Sequence, residues 1–417
     1  LLSVMLLMQA VCGCGGTASS GTSSASASTG STANKSSEKA VIVTDEQDFT
    51  HENGITRLVK EIYGDLNVEF FVLSEDAQER ETQISSLRVE IMAGGGPDGY
   101  LFSSPASNIA YEGDSRPAAL FPDVQRTMQS GAFLPLDDYI KESEYFRPED
   151  HFAPVFDAGK NDEGQVVLPI TYYASVFLLD KAQLADPDFT PKTWDELVNC
   201  EDTAVLKVVR NNLYTWCGAG IPRIADYATE KTILTEENLT AQFEDLLAMP
   251  APENFDEETA LIQSGSYAQT DEGIAYYAQN KDTVNALAIP NTEGGVTAFI
   301  TSYAAINRNS QKADEVFRFF ELLFSDEAQI DPAETMNDAR GTLLMLGNLN
   351  SYLTHKNAYL QPELLESVQS RVNAVRFYSV MDYTIYDTAT TLTWEENPDC
   401  AAAAHSVIEA LQTRLSE

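Results

Sequence analysis

The segment Ala40-Val41-Ile42-Val43-Thr44 is a short apolar run, and Ile55, Leu58, Val59 and Ile62 after it fall at the spacing of one helix face. The alternation repeats at once. Val68-Glu69-Phe70-Phe71-Val72-Leu73 predicts a second strand, and Ile84, Leu87 and Ile91 share the face of a second helix. Gly94-Gly95-Gly96-Pro97 stops that helix, because glycine accepts the left-handed geometry of a helix end and proline cannot continue the turn. Tyr100-Leu101-Phe102 then supplies a third strand. Strand and helix alternating at this spacing predict an α/β fold on a parallel sheet with right-handed crossovers. In open sheets of that kind ligands sit beyond the carboxyl ends of the strands. That rule selects Asp45, Glu46 and Gln47 after the first strand, and Ser103 and Ser104 after the third.

Further along, Val166 to Leu179 is a β-prone run interrupted only by Pro169, long enough to bridge two domains. Val296 to Ile306 is a second such run, and it leads into a helix with Val316, Phe319, Phe320 and Leu323 on one face. The chain between the runs suffices for another α/β domain, and the whole from Lys39 to Glu417 exceeds one small core. Thr193-Trp194-Asp195-Glu196-Leu197 reads as a helix N-cap and first turn, with Trp194 packing rather than binding. Asp98 reads as the brace of a turn.

Acidic residues number 64 against 26 basic ones, a formal net charge of -38. Nucleic acid is excluded as a partner, since a phosphate backbone needs a basic face. Neutral or cationic ligands are favoured over anions, although so much acid also suits a soluble exported surface. His51, His151, His355 and His405 are scattered, so no metal site is expected. The glycine run has no following Lys and Ser or Thr, and no Gly-x-Ser-x-Gly elbow occurs, so neither cofactor nor catalytic residue is assigned. An exported glycosidase, which needs only two carboxylates flanking a cleft, stays as a minor alternative. Cys200 and Cys217 either pair or remain buried thiols, with Cys400 odd.

At the N-terminal side, the apolar Leu1 to Met8 followed by Val11-Cys12-Gly13-Cys14-Gly15-Gly16 resembles the end of a bacterial lipoprotein signal peptide, with its lipobox. The resemblance makes 1–14 the signal segment and Cys14 the lipidated residue. Residues 15–38, dominated by Gly, Ser, Thr and Ala, cannot bury enough apolar surface to fold and read as a flexible tether.

Several ordered segments together resemble the extracellular solute-binding proteins of ABC importers, the group that includes maltose-binding protein. They are Ile91 to Asp98, Leu134-Pro135-Leu136-Asp137-Asp138-Tyr139, Leu168-Pro169-Ile170, Thr193 to Leu197, and Phe299 to Asn307. The resemblance implies a two-lobed periplasmic-binding-protein-like α/β fold with a ligand cleft between lobes joined by crossovers. It puts residues 39–172 and 302–346 in the first lobe, and 173–301 and 347–417 in the second. It further implies a monomer at the outer face of the cytoplasmic membrane that passes a small solute to importer permease subunits. A sugar is favoured; a cationic polyamine or peptide is the alternative. Sugar clefts combine aromatic platforms with planar polar groups. Tyr172 and Tyr173 at the first crossover, Tyr214 and Trp216, Glu272 and Tyr276, Tyr303, and the cluster Arg376, Tyr378 and Asp382 are the candidates the resemblance supplies.

Overall fold

The computed structural model describes residues 39–45, 54–103, 118–211, 218–250, 271–331, 339–344, 351–359 and 362–416. The opening alternation holds: β1 (Ala40–Thr44), α1 (Gly54–Tyr63), β2 (Val68–Val72), α2 (Ala77–Met92) and β3 (Gly99–Ser103) follow one another. Ile55, Leu58 and Val59 of α1 and Ile84 and Leu87 of α2 are buried, the faces that the periodicity selects. Helix α2 ends as its glycines require: Gly94 takes φ +81° and donates its N–H to Ile91 O at 3.0 Å. Asp98 braces the turn beyond, accepting from Val41 N at 2.9 Å and Ser310 Oγ at 2.7 Å.

The remaining elements that frame the site are α3 (Val124–Gln129), β4 (Leu168–Ala174), β5 (Val176–Asp180), α4 (Trp194–Val198), α5 (Glu236–Ala248), β6 (Val284–Ala288), β7 (Val296–Ile306), α6 (Ala313–Leu322), β8 (Tyr352–Leu353), α7 (Pro362–Gln369), β9 (Val372–Phe377), α8 (Val380–Trp394) and α9 (Cys400–Ser416). Seven strands form one sheet, in the order β8-β4-β7-β3-β1-β2, with β9 also pairing β7. β1 runs parallel to β2 and β3, as expected. Beyond β3 the sheet is mixed: β7 is antiparallel to β3 and β4, yet parallel to β9.

Strand β7 changes partner along its length. Residues 296–300 pair with β9 and residues 302–306 with β3, while β4 flanks both halves. At the change, Ile300 faces Tyr172 and Ser302 faces Thr171, leaving Thr301 as an extra residue. That is a β-bulge, which bends and twists a strand locally. Buried hydroxyls collect there: Thr171 Oγ1 is hydrogen-bonded to Thr301 Oγ1 at 2.8 Å and to Ser302 Oγ at 2.5 Å, and Thr301 Oγ1 to Ser351 Oγ at 2.8 Å.

The buried apolar side chains divide into two large groups. The larger covers β1, β3, most of β4, both halves of β7 and α6, reaches Val176 and Leu178 of β5 and Val284 and Ala288 of β6, and takes in Tyr352, Leu364, Leu365 and Phe377. The smaller gathers Phe177, Trp194, Leu197, Phe243, Leu246, Met381, Ile385, Val407 and Leu411 from β5, α4, α5, α8 and α9. Trp194 is fully packed there, as its sequence context predicts, with Nε1 donating to Asp245 Oδ2 at 2.9 Å and Thr193 Oγ1 capping the helix from Glu196 N. Cys200 and Cys400 are free thiols, and Cys217 lies outside the described residues. Among the described residues no helix is long and apolar enough to cross a membrane.

Candidate functional site

A third, small apolar group, Tyr173, Phe299, Tyr378 and Tyr383, belongs to neither core. Register assembles it. Phe299 of β7 pairs with Tyr173 of β4 on one side and with Arg376 of β9 on the other, so the three residues form a row across the sheet. Side chains directly opposite on paired strands sit on the same face and touch. The Phe299 ring accordingly stacks on Tyr173 with centroids 5.1 Å apart, and on Tyr378 at 4.5 Å; Tyr173 and Tyr378 stack at 5.5 Å. The guanidinium of Arg376 lies 4.6 Å from the Phe299 centroid, a cation–π contact. Gly218 lets its own segment approach this stack, since a Cβ there would stand 3.0 Å from Tyr378 Oη and 3.1 Å from Phe299 Cζ.

Tyr172, next in the chain, has the opposite fate. Successive side chains on a strand point to opposite faces, so Tyr172 enters the larger core, where its ring packs on Phe152 and Tyr352 and its hydroxyl accepts from Gln369 Nε2 at 2.6 Å. Tyr303 is likewise buried, between Phe102 and Phe377, its ionisation suppressed by burial and then by Asp45. Both side chains belong to the larger core. By contrast Tyr173 Oη is buried with no hydrogen-bond partner among the described residues.

Asp382 serves a structural end. It closes the capping box of α8: its Oδ2 accepts from Ser379 N at 2.9 Å and Oγ at 3.2 Å. Its Oδ1 pairs with Arg376 Nη1 at 2.5 Å, both side chains being about 95 % buried (5–6 % exposed). Arg376 Nε and Nη2 donate in addition to Ile221 O at 3.3 Å and Gly218 O at 3.4 Å. Arg376 and Asp382 therefore tie the ring row to α8 and to the segment around Gly218 and Ile221.

Asp45 and Ser103 meet beyond the carboxyl ends of β1 and β3. The chain leaves β1 for β2 on one side and returns to β3 on the other, so they flank a topological switch point. Asp45 Oδ1 lies 3.4 Å from Ser103 N and 3.5 Å from Ser103 Oγ, both long contacts, and Arg80 Nη2 is 3.3 Å from Oδ2. Burial raises the Asp45 carboxyl above its ordinary range, opposed chiefly by Arg80. Ser103 pairs with Ser302, three residues along β7 from Phe299, so the switch point and the ring row are about 10 Å apart along one strand.

Of the other candidates, Tyr276 is half-buried against the larger core and Glu272 lies in the helix Asp271–Asn280, its side chain undescribed. Glu46, Gln47, Ser104, Tyr214, Trp216 and Cys14 lie outside the described residues. Three residues at the seam escaped the sequence reading. Phe299 looked like strand core. Asp123 and Tyr227, whose side chains interact across the seam, carry no motif, although Ser379 and Asp382 at capping-box spacing were there to be read. Among the described residues no group of three or more His, Cys, Asp or Glu stands together as a metal site would require.

The family model for bacterial extracellular solute-binding proteins matches residues 87–330, more than half of the chain. Among solved structures, the chain is similar to the sugar-binding protein MalE from the phytopathogen Xanthomonas citri, with 11% identity, a TM-score of 0.59 and coverage of 91% of this chain and 97% of that one. It is also similar to an extracellular solute-binding protein of family 1 from Alicyclobacillus acidocaldarius, with 11% identity, a TM-score of 0.54 and coverage of 91% and 98%. A cyclic alpha-maltosyl-1,6-maltose binding protein from Arthrobacter globiformis matches at 13% identity and a TM-score of 0.50, over 90% and 99%. At such identities the likeness is one of fold, the two-lobed α/β architecture. No curated protein matches in sequence.

Proposed function

Because the chain belongs to the bacterial extracellular solute-binding proteins, we propose that it captures a sugar or oligosaccharide at the seam between its two cores and hands it to the permease subunits of an ABC importer. The observation that carries this reading is the Tyr173–Phe299–Tyr378 stack, set apart from both cores, in which the buried Tyr173 phenol has no hydrogen-bond partner among the described residues. Stacked rings suit the apolar faces of a pyranose, and an unpaired buried hydroxyl suits its polar edge. The sugar-binding names of the fold neighbours agree. Asp45 and Ser103 stand at the far end of the same seam in this reading. The first lobe is residues 39–172 and 302–346 and the second 173–301 and 347–417. The larger core's hold on Tyr352, Leu364, Leu365, Val368 and Phe377 favours a later final hand-over, between Phe377 and Met381.

A lipid on Cys14, through the 15–38 tether, holds the monomeric body at the outer face of the cytoplasmic membrane. Replacing Cys14 with Ser should release it into the medium, and retention on membranes would defeat that part. The net charge of -38 favours a second reading, a polyamine or cationic peptide as solute. A thermal-shift screen across sugars, polyamines and peptides separates the two, since a ligand of the folded state alone raises apparent stability. Stabilisation by sugars supports the first reading and by polyamines or peptides alone the second. Release of reducing ends from an oligosaccharide would instead favour a glycosidase.

A further inference from the structure

One short segment of the larger core reaches the smaller core at three points. Pro122 O accepts from Val380 N, the first residue of α8, at 3.2 Å. Arg126 Nη1 donates to Arg414 O, near the end of α9, at 2.7 Å. Between them Asp123, which caps α3 by accepting from Arg126 N at 3.1 Å, meets the hydroxyl of Tyr227. Asp123 Oδ2 is buried with no hydrogen-bond partner of good geometry among the described residues. The segment itself is anchored firmly, since Phe121, Val124 and Met128 lie in the larger core, whereas Tyr227 packs on the smaller.

We propose that Pro122 to Arg126 is a clasp that holds the lobes together in the solute-free protein and loosens when Asp123 is ionised. The proposal rests on the two-lobe reading above. Facing Asp123 are Arg126 from its own helix, Tyr227 from the smaller core and Asp382 from α8, the last already paired with Arg376. Burial, and then the like charge of Asp382, outweigh Tyr227 and the Arg126 amide and lift the carboxyl to about 6. When the lobes part, those causes vanish and the group returns toward its ordinary 3.8. The clasped form thus holds the proton more tightly than the open one. Clasping strengthens as pH falls through 6 and reaches its limit near 4. From pH 7.5 to 5 the ratio of clasped to open molecules should rise about tenfold.

The test is small-angle scattering of the solute-free, full-length protein at pH 7.5 and 5.0, with melting curves at both to confirm folding. Contraction of wild type at pH 5.0 is expected. Asp123→Asn keeps the helix cap but mimics the protonated carboxyl, so it should be compact at both pH values. Arg126→Ala should be more open than wild type at both. A wild-type radius indifferent to pH, or a response that survives in Asp123→Asn, overturns the clasp. If screened solutes contract the protein while pH and Arg126→Ala do nothing, the clasp alone falls. If nothing alters the radius, the two-lobe reading falls with it.

Discussion

Tyr172 and Tyr173 are the same residue type, adjacent in one strand, and they belong to different parts of the molecule. One is locked into the larger core with its hydroxyl satisfied by Gln369; the other faces the seam, its hydroxyl without a partner among the described residues. Composition and proximity to a crossover cannot separate them, but strand alternation does so outright. The difference teaches that one face of β4 serves the larger core and the other the ring row at the seam, the face proposed for the solute, and each can be tested by itself.

The harshest test of the seam face removes the support beneath it. Arg376→Ala leaves Asp382 buried and uncompensated and should cost about 3–5 kcal/mol, whereas Arg376→Met with Asp382→Asn, which keeps an acceptor for Ser379 N, should recover much of that in a denaturant titration. Equal losses in both variants would show that the ion pair is not what supports the rings.

On the core face, Phe152 of the Tyr172 cluster follows His151, which is 1 % exposed and packed between Phe146 and His355. Burial first, then His355, depresses His151 from 6.5 to about 3. The folded state therefore holds its proton less tightly than the unfolded chain. Stability is full above pH 6.5 and is lost as pH falls toward 3, by about 2 kcal/mol at pH 5. Melting curves from pH 7.5 to 4 should show a decline that His151→Gln reduces; an equal decline in the variant would assign it elsewhere.

The two phenols give the finest comparison. Tyr172→Phe deletes the acceptor of the Gln369 bond and should cost about 1 kcal/mol of stability. Tyr173→Phe deletes an unpaired hydroxyl, so the melting temperature should hold or rise slightly while affinity for the solute identified by screening falls a fewfold. A stability loss at Tyr173→Phe equal to that at Tyr172→Phe would erase the distinction between the faces.

Much of the fold was readable because it follows local rules. Apolar spacing located α1 and α2, the glycine run ended α2 where Gly94 turns left-handed, and Thr193 and Trp194 announced a capped, packed helix. The site was less legible. Its ring row depends on which residues of β4, β7 and β9 stand opposite one another, and that register is set by a bulge at Thr301 with no sequence signature. Asp382 looked like a ligand group because polar-aromatic clusters resemble clefts, yet its nearest duty is to the backbone of Ser379. Asp123 was invisible for the converse reason: an ordinary N-cap in sequence became a buried carboxyl only when the smaller core arrived beside it.

The hydroxyls around Thr301 have a mechanical meaning. Interlocked methyl groups resist a change of angle because every tilt opens a void or forces a clash. A hydroxyl both gives and takes a hydrogen bond and redirects either by spinning about a single C–O bond. Thr171, Thr301, Ser302 and Ser351 make such a joint at the point where β7 changes neighbours, with contributions from β4, β7 and the residue before β8. Strands turning there would trade partners within the group instead of losing them, so the joint behaves less like a weld than like a lubricated bearing.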